Sequence, residues 1–269
     1  MKMEILNLFS PEEFKHFLLI LLRVSVILFL FPIYGSEVVP IMVKAGLSLV
    51  ITLCLYSVVY ADPLVFPEKA AAAPVLIVTE LFIGLCLSLG VRLFFAATQV
   101  AGVLIGFQMG FSMINVVDPQ SGSQVSIMDQ VAYWVVLVVF LLLNGHHIII
   151  SALVESFRIL PIGGGFFLEK GLFDMMGEFG GAIFSISVKM GSPVIAALFF
   201  TSVAFGIISK FAPQINVMIV AFPVKIIIGL LLFGFMLEIA SYFTSRYVSD
   251  FYGILIHTLN FLSGKAGVT

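Results

Sequence analysis

Charged residues are scarce in this chain of 269 residues: Lys and Arg number 13, Asp and Glu number 15, and together they make up 10% of the sequence. A soluble domain is about one quarter charged because its surface must face water, so this composition excludes an ordinary soluble fold. Apolar residues take their place, at 61% of the sequence with a mean hydropathy of +1.19. The composition therefore predicts an all-α protein that crosses a membrane several times.

Basic clusters, cysteine pairs and catalytic motifs are also missing. The net charge is −2 and the cations are scattered, which excludes a nucleic-acid partner. Cys54 and Cys86 lie inside apolar runs, where we expect them to act as small hydrophobic residues. The sequence has no zinc-spaced cluster, phosphate-binding loop or nucleophile elbow, and the adjacent His146 and His147 would point to different sides of a helix. We therefore expect neither catalysis nor a cofactor.

Apolar runs long enough to cross about 30 Å of hydrocarbon, which takes roughly 20 helical residues, predict six long helices. They lie near residues 14–34, 41–60, 74–95, 126–154, 178–208 and 215–243. The first helix should begin at Ser10-Pro11-Glu12-Glu13, where a capping hydroxyl, a proline and two acids coincide. Asn144-Gly145 predicts a helix break. Residues 74–117 exceed one crossing, which predicts a long tilted helix, a hairpin or a re-entrant element.

Three glycines recur every fourth residue at Gly102, Gly106 and Gly110. On a helix this spacing leaves one face without side chains, so that another backbone can approach closely. The neighbour is either another helix of the same chain or another subunit. The same glycines weaken the helix, which predicts that this segment is only partly helical.

The stretch from Phe107 to Gly122 alternates bulky and polar residues and ends at the turn signal Asp118-Pro119. This pattern favours a strand-like or irregular segment over a helix. Irregular backbone at membrane depth has to be enclosed by protein or line an aqueous path. Met109 and Met113 are soft side chains, which suit either ordinary core packing or a constriction of changing shape.

Charges inside the apolar runs need partners, because each costs roughly 2.5 kcal/mol or more at mid-membrane. Glu80 and Arg92 lie about 18 Å apart along one helix, so they cannot pair with each other. Their partners must lie on other segments or other chains. For Arg23, Arg92 and Lys189, a side chain that extends its charged group to the membrane interface is an equally good interpretation. The full set is Arg23, Glu80, Arg92, Asp129, Lys189, Lys225 and Glu238.

Several motifs resemble a known family. They are Gly-Phe-Gln-Met-Gly from Gly106, Val-Asp-Pro from Val117, Asn-Gly-His from Asn144, Leu-Pro-Ile-Gly from Leu160, and Ala-Pro-Gln-Ile-Asn through Phe222-Pro223-Val224-Lys225. In order and spacing the chain resembles the FliR family of the flagellar type III export gate, from about residue 14 to residue 245. The combination is specific, although each motif alone is weak.

The resemblance implies a non-enzymatic subunit of the bacterial inner membrane, within the flagellar basal body. Its implied partners are FliP-like and FliQ-like subunits, an FlhB-like subunit, membrane lipid, and the unfolded flagellar proteins that are exported. It also implies a FliP-like portion at residues 1–177 fused to a FliQ-like portion at 178–269, with helices stacked in an inclined spiral with the partner subunits.

Two groups of site residues follow from the resemblance. A pore plug is expected at Gly106 to Gly122, with Gln108, Met109, Phe111, Met113, Asp118 and Pro119. Subunit packing is expected at the three glycines and at the residues that match the FliQ signature, which are Gln214, Asn216, Phe222, Pro223 and Lys225. Glu80, Arg92 and Glu238 are expected to meet partner charges. The signature departs from FliQ at Val217, where FliQ is acidic, and at Pro223, which directly follows Phe222.

The sequence is also compatible with other functions. A related protein serves virulence injectisomes, and a scaffold subunit would need no contact with substrate. A secondary transporter would use broken helices and clustered charges at the midplane. No convincing inverted pair of broken segments occurs in the sequence, and the charges do not cluster.

Overall fold

The computed structural model of the chain describes residues 11–32, 39–59, 73–111, 127–163, 170–214 and 216–264. Every regular element in these ranges is an α-helix, which confirms the all-α prediction. The helices are α1 (Pro11–Leu30), α2 (Ile41–Val59), α3 (Ala73–Met109), α4 (Ile127–Leu142), α5 (Gly145–Ile159), α6 (Lys170–Phe211) and α7 (Val217–Leu262).

Helix boundaries follow local signals at two predicted places. Helix α1 begins at Pro11, with Glu12 and Glu13 in its first turn, as expected for an N-terminal proline and acids near the positive helix end. Between α4 and α5, Asn144 has a φ of 57°, a left-handed conformation that few residues other than glycine adopt readily. The predicted break at Asn144-Gly145 is therefore confirmed.

The stretch 74–117 is a continuous helix as far as Met109, so the long-helix alternative is correct for its described part. Helices α6 and α7 are also longer than predicted, at 42 and 46 residues. Among the described residues, four helices are long and apolar enough to cross a membrane, or five if the broken pair α4 and α5 counts as one span. Helix α1, the first of the six predicted helices, is present but carries more charges than these helices do, among them Lys15 and Arg23.

The backbone carbonyl that a proline inside α6 leaves without its usual donor is satisfied locally, as membrane helices require. Pro193 lies inside α6 and cannot donate a backbone hydrogen bond to the carbonyl of Lys189 one turn earlier. The hydroxyl of Ser192 donates to that carbonyl at 3.0 Å. The helix therefore continues through the proline with its freed acceptor satisfied.

The described residues form two compact units, each assembled from separate stretches of sequence. The first unit draws on Met1–Arg92, Gly145–Met176 and Asp250–Thr269, and the second on Leu93–Asn144 and Gly177–Ser249. The boundary predicted between residues 177 and 178 concerns likeness to partner families, so it stays a prediction.

The first unit is organised around a buried ion pair between α1 and α3. The Arg23 Nε donates to Glu80 Oε2 at 2.6 Å, and the side chains are 0% and 1% exposed. The other guanidinium nitrogens donate to the Ser156 hydroxyl at 3.1 Å and to the Leu160 carbonyl at 3.0 Å. The guanidinium carbon also lies 4.2 Å from the centre of the Phe157 ring. Arg23 therefore connects α1 to α3, to α5 and to the residue that follows α5.

A glycine allows the close approach that this pair needs. Gly84 lies one turn after Glu80 on α3, and a Cβ added there would lie 3.0 Å from Val26 Cβ and 3.1 Å from the Arg23 carbonyl oxygen. Helices α1 and α2 also pack together in this unit, as do α2 and α5. Arg92, further along α3, donates to the Leu30 carbonyl at 2.8 Å, at the C-terminal end of α1.

The second unit packs the later part of α3 against α4, α6 and α7. Tyr247 stacks on Phe94 with ring centroids 4.1 Å apart and planes 10° from parallel. Phe95 contacts the rings of Tyr133 and Phe140 on α4 at 5.7 and 5.5 Å. The Ser187 hydroxyl of α6 lies 2.8 Å from the Ala97 carbonyl oxygen of α3. Aromatic packing and one interhelical polar contact thus hold α3 in this unit.

We predict that Arg23→Met destabilises the protein by about 3–5 kcal/mol, because it leaves the Glu80 carboxylate buried without its cation. The double variant Arg23→Met with Glu80→Leu removes both charges and should recover much of that loss. Thermal unfolding of the detergent-purified protein compares the two. If the double variant unfolds at the same temperature as Arg23→Met or lower, the pair is not the source of the effect.

Candidate functional site

The residues predicted to plug a pore begin at the C-terminal end of α3. Phe107, Gln108 and Met109 are helical, so the prediction of an irregular segment from Phe107 to Gly122 is wrong for these three residues. The helix instead ends at Gly110, whose φ is 91°. The Gly110 amide donates to the Phe107 carbonyl at 3.0 Å, and the Phe111 amide donates to the Gly106 carbonyl at 3.1 Å. This pair of hydrogen bonds is the Schellman motif, which ends helices at a left-handed glycine.

Gly110 therefore does not continue the helical glycine face that its spacing predicted. Its left-handed conformation explains why a glycine is needed there. A Cβ at this position would also lie 2.6 Å from Cε1 of Phe222, so the phenyl ring of Phe222 packs directly on Gly110. The predicted packing residue Phe222 thus has a neighbour within the chain.

Met109, the last residue of α3, is 0% exposed and packs against α7. A Cβ built on Gly229 would lie 2.5 Å from Met109 Cγ and 2.7 Å from its Sδ. The side chain of Met109 therefore occupies the space that any larger residue at position 229 would need. Gln108 and Phe111 are half-buried, and Met113, Asp118 and Pro119 lie outside the described residues.

Gly102 lies two turns before Gly110 and contacts the first turn of α4. A Cβ at Gly102 would collide with the backbone of Asp129, 2.7 Å from its nitrogen, and would lie 2.9 Å from the Met128 carbonyl oxygen. Of the two neighbours left open by the sequence, the structure shows a helix of the same chain at Gly102. Gly106 is buried, and its role in subunit packing stays a prediction.

The residues that match the FliQ signature lie just before the start of α7 and in its first turns. Asn216 directly precedes this helix, and its carbonyl accepts a hydrogen bond from the Ile219 amide at 3.1 Å, as expected of an N-cap residue. Gln214 and Pro223 are exposed, whereas Lys225 is half-buried. Their contacts with other subunits stay predictions.

The structure shows partners within the chain for some of the charged residues inside the helices. Glu80 and Arg92 have partners on another segment, α1, which is one of the two alternatives predicted from the sequence. Arg23 is fully buried rather than extended to an interface. Lys189 and Glu238 are exposed, and within the described part of the chain no ion pair to Lys225 or Glu238 occurs. A partner for Glu238 remains an expectation.

Two contacts were not predicted from the sequence: Met109 with Gly229, and Gly110 with Phe222. The sequence signal for the contact of Met109 with Gly229 was a single glycine inside the apolar run Ile226-Ile227-Ile228-Gly229-Leu230. An isolated glycine in a helix interior usually marks a close approach. Its partner lies 120 positions earlier in the chain, so spacing could not identify it.

The long apolar helices, the hydroxyl groups bonded to helix carbonyls and the buried ion pair define a polytopic helical membrane protein. Residues 14–251 match the bacterial export proteins, family 1. The chain is 31% identical to the flagellar biosynthetic protein FliR of Bacillus subtilis (strain 168) over 260 residues, covering 96% of this chain and 98% of that protein. The chain therefore belongs to the FliR family of bacterial export proteins.

Two further relatives carry the same name. The flagellar biosynthetic protein FliR of Escherichia coli (strain K12) is 31% identical over 235 residues, covering 87% of this chain and 89% of the relative. That of Pectobacterium carotovorum subsp. carotovorum is 29% identical over 234 residues, covering 87% and 88% respectively. The likeness extends over nearly the whole length of each relative.

We predict that Gly102→Ala lowers the thermal unfolding temperature, because its Cβ meets the backbone of Asp129, which cannot rotate away. Gly206→Ala in α6 is the matched control, since a Cβ there has no atom within 4 Å. Helix propensity alone favours alanine by up to about 1 kcal/mol, so the control should be neutral or stabilising. Equal unfolding temperatures for the two variants would contradict the close approach of α3 and α4.

Proposed function

We propose that the protein is a non-enzymatic subunit of the flagellar type III export gate, located in the bacterial inner membrane within the flagellar basal body. In this proposal it assembles with FliP-like and FliQ-like subunits, contacts an FlhB-like subunit, and helps to form and close the path for unfolded flagellar proteins. The observation that carries the proposal is the 31% identity to a flagellar biosynthetic protein FliR over 98% of that protein.

The surface of α7 supports assembly with partner proteins. Its exposed apolar residues extend from Ile219 to Tyr252, about 50 Å along the helix at 1.5 Å per residue. The hydrocarbon core of a bilayer is only about 30 Å thick, so lipid cannot cover this whole length in one direct crossing. Protein partners are the alternative that keeps such a surface away from water.

Charge on the same helix favours protein over lipid contacts. Glu238 is exposed and lies between the exposed apolar residues Phe235 and Tyr242. A carboxylate that faces hydrocarbon costs roughly 2.5–3.5 kcal/mol near mid-membrane. A neighbouring subunit that supplies a cation or hydrogen-bond donor removes this cost.

The end of α3 supports the assignment of the gate. A seal that opens for many different unfolded chains needs side chains that adapt their shape, and methionine is the most adaptable of the apolar residues. Met109 lies fully buried where α3 ends, three positions before residues 112–117 of the expected plug. In this proposal Met109, Phe111 and Met113 close the path at rest, and Asp118-Pro119 and Gly122 provide the turn on which the segment moves.

We predict that deletion of residues 112–117, or Met109→Gly combined with Met113→Gly, makes resting membranes leak. Uptake of a small solute by cells that contain the assembled complex measures the leak. Met42→Gly changes an exposed methionine of α2 and serves as control, with uptake expected at the wild-type level.

Assembly is checked by co-purification with FliP-like and FliQ-like proteins. A tight membrane despite a confirmed deletion would assign closure to the partner subunits. Absence of those partners from the purified wild-type complex would contradict the proposed function as a whole.

A further inference from the structure

Lys189 of α6 and Glu238 of α7 are opposite charges that are exposed on long apolar helices. Both lie in segments that are apolar enough to cross a membrane, Ile183–Phe211 and Ile219–Leu262. Among the described residues, no ion pair to either side chain occurs. A charge on an apolar helix surface needs a counter-charge, a hydrogen-bond partner or water. The two side chains are therefore candidates for contacts outside the chain.

Helix α6 is aligned with α3 by two contacts, one on either side of Lys189. The Ser187 Oγ lies 2.8 Å from the Ala97 carbonyl oxygen. A Cβ built on Gly191 would lie 3.8 Å from Cγ1 of Ile105. Because a helix rises evenly along its axis, Lys189 lies at the midpoint between these two contacts.

Helix α7 is aligned with α3 in the same way, by two contacts on either side of Glu238. Tyr247 stacks on Phe94 with ring centroids 4.1 Å apart. A Cβ built on Gly229 would lie 2.5 Å from Met109 Cγ. Glu238 is equally far in sequence from Gly229 and from Tyr247, so it also lies at the midpoint between two contacts.

The two midpoints fall at the same level of α3. On α6 the midpoint is at Ala101, and on α7 it lies between Ala101 and Gly102. Counting from the turn between α6 and α7 gives the same result. At 1.5 Å per residue, Lys189 lies about 33 Å before the end of α6, and Glu238 lies about 32 Å after the start of α7. One basic and one acidic side chain are thus exposed at a single level of the second unit.

Apolar side chains are exposed on both sides of each charge along its helix. On α6 these include Phe184 and Phe199, and on α7 they include Phe235 and Tyr242. The charges therefore lie within the apolar surface and not at its edge, where lipid headgroups and water begin. A protein neighbour that supplies counter-charges satisfies both side chains at this place.

We propose that Lys189 and Glu238 set the register of a subunit interface: they bind a neighbouring membrane subunit that presents an acidic residue to Lys189 and a basic residue to Glu238 at one level. Charge complementarity identifies this partner, since lipid tails carry no charge and a neighbour with charges of one sign leaves one of the two side chains unpaired. An apolar interface alone does not select one register, because lipid tails are as apolar as leucine. The inference rests on the proposed function, because the neighbour is a further subunit of the export gate.

The test replaces each charge by leucine and measures two properties of the full-length chain. Lys189→Leu and Glu238→Leu should each lower the recovery of the same co-purified partner, FliP-like or FliQ-like, by roughly tenfold or more. The reason is that the partner's charge is then buried without its counter-charge. The unfolding temperature of the chain purified alone in detergent should not fall, since neither side chain forms an ion pair in the described part of the chain.

Lys210→Leu on α6 and Arg246→Leu on α7 are the matched controls, because both side chains are exposed charges on the same helices, away from this level. Recovery of both partners by these variants should equal that of the wild type. The exchange Lys189→Glu with Glu238→Lys tests whether the two charges serve each other instead. Contact with a neighbour predicts that the exchanged chain stays defective, whereas recovery at the wild-type level would assign the two charges to one another and overturn the inference.

The outcomes separate this inference from the proposed function. Wild-type recovery of both partners by Lys189→Leu and Glu238→Leu would overturn the inference and leave the gate assignment intact. A lower unfolding temperature of the isolated variants would also overturn it, because the charges would then act within the chain. If the wild-type chain co-purifies with neither partner, the proposed function is wrong, and this inference with it.

Discussion

The fully buried ion pair between Arg23 and Glu80 is the constraint on which the first unit depends. Apolar helices in lipid have no strong preference for one register, because lipid tails are as apolar as leucine. A buried charge that has one matching partner selects a single register. Arg23 uses its remaining donors on Ser156 and on the Leu160 carbonyl. The positions of α1, α3 and α5 are thus defined by directional bonds around a single guanidinium group.

The helices of the second unit are held together by a different kind of contact. Its helices approach at glycines, where Gly102 meets the backbone of α4 and Gly229 meets Met109 of α3. At Gly102 the neighbour is rigid backbone, whereas at Gly229 it is a flexible thioether side chain. Rigid contacts resist movement, while a methionine can change rotamer at modest cost. Within one unit, α3 therefore has a firm contact about two turns before its end and an adaptable one at its end.

Features set by local chemistry could be predicted from the sequence, and features set by distant contacts could not. The start of α1 at Pro11 and the break at Asn144 depend on neighbouring residues, and both predictions were correct. The glycine spacing suggested one helical face, yet Gly110 ends the helix. A glycine that ends a helix in a Schellman motif differs from a glycine that packs inside a helix only in its backbone conformation, which the spacing does not reveal. Glu80 could not be matched with Arg23 because 57 residues separate them. The plug residues Met113, Asp118 and Pro119 stay predictions.

The buried guanidinium group also has a consequence for biosynthesis. Arg23 is synthesised 57 residues before Glu80 and 133 residues before Ser156. At roughly 5–20 residues per second, the ribosome delivers the carboxylate several seconds after the arginine. During that interval the Arg23 cation has no buried counter-charge, which costs roughly 2.5 kcal/mol or more if the residue lies at mid-membrane. The first helix therefore reaches its full stability only after the third has been synthesised.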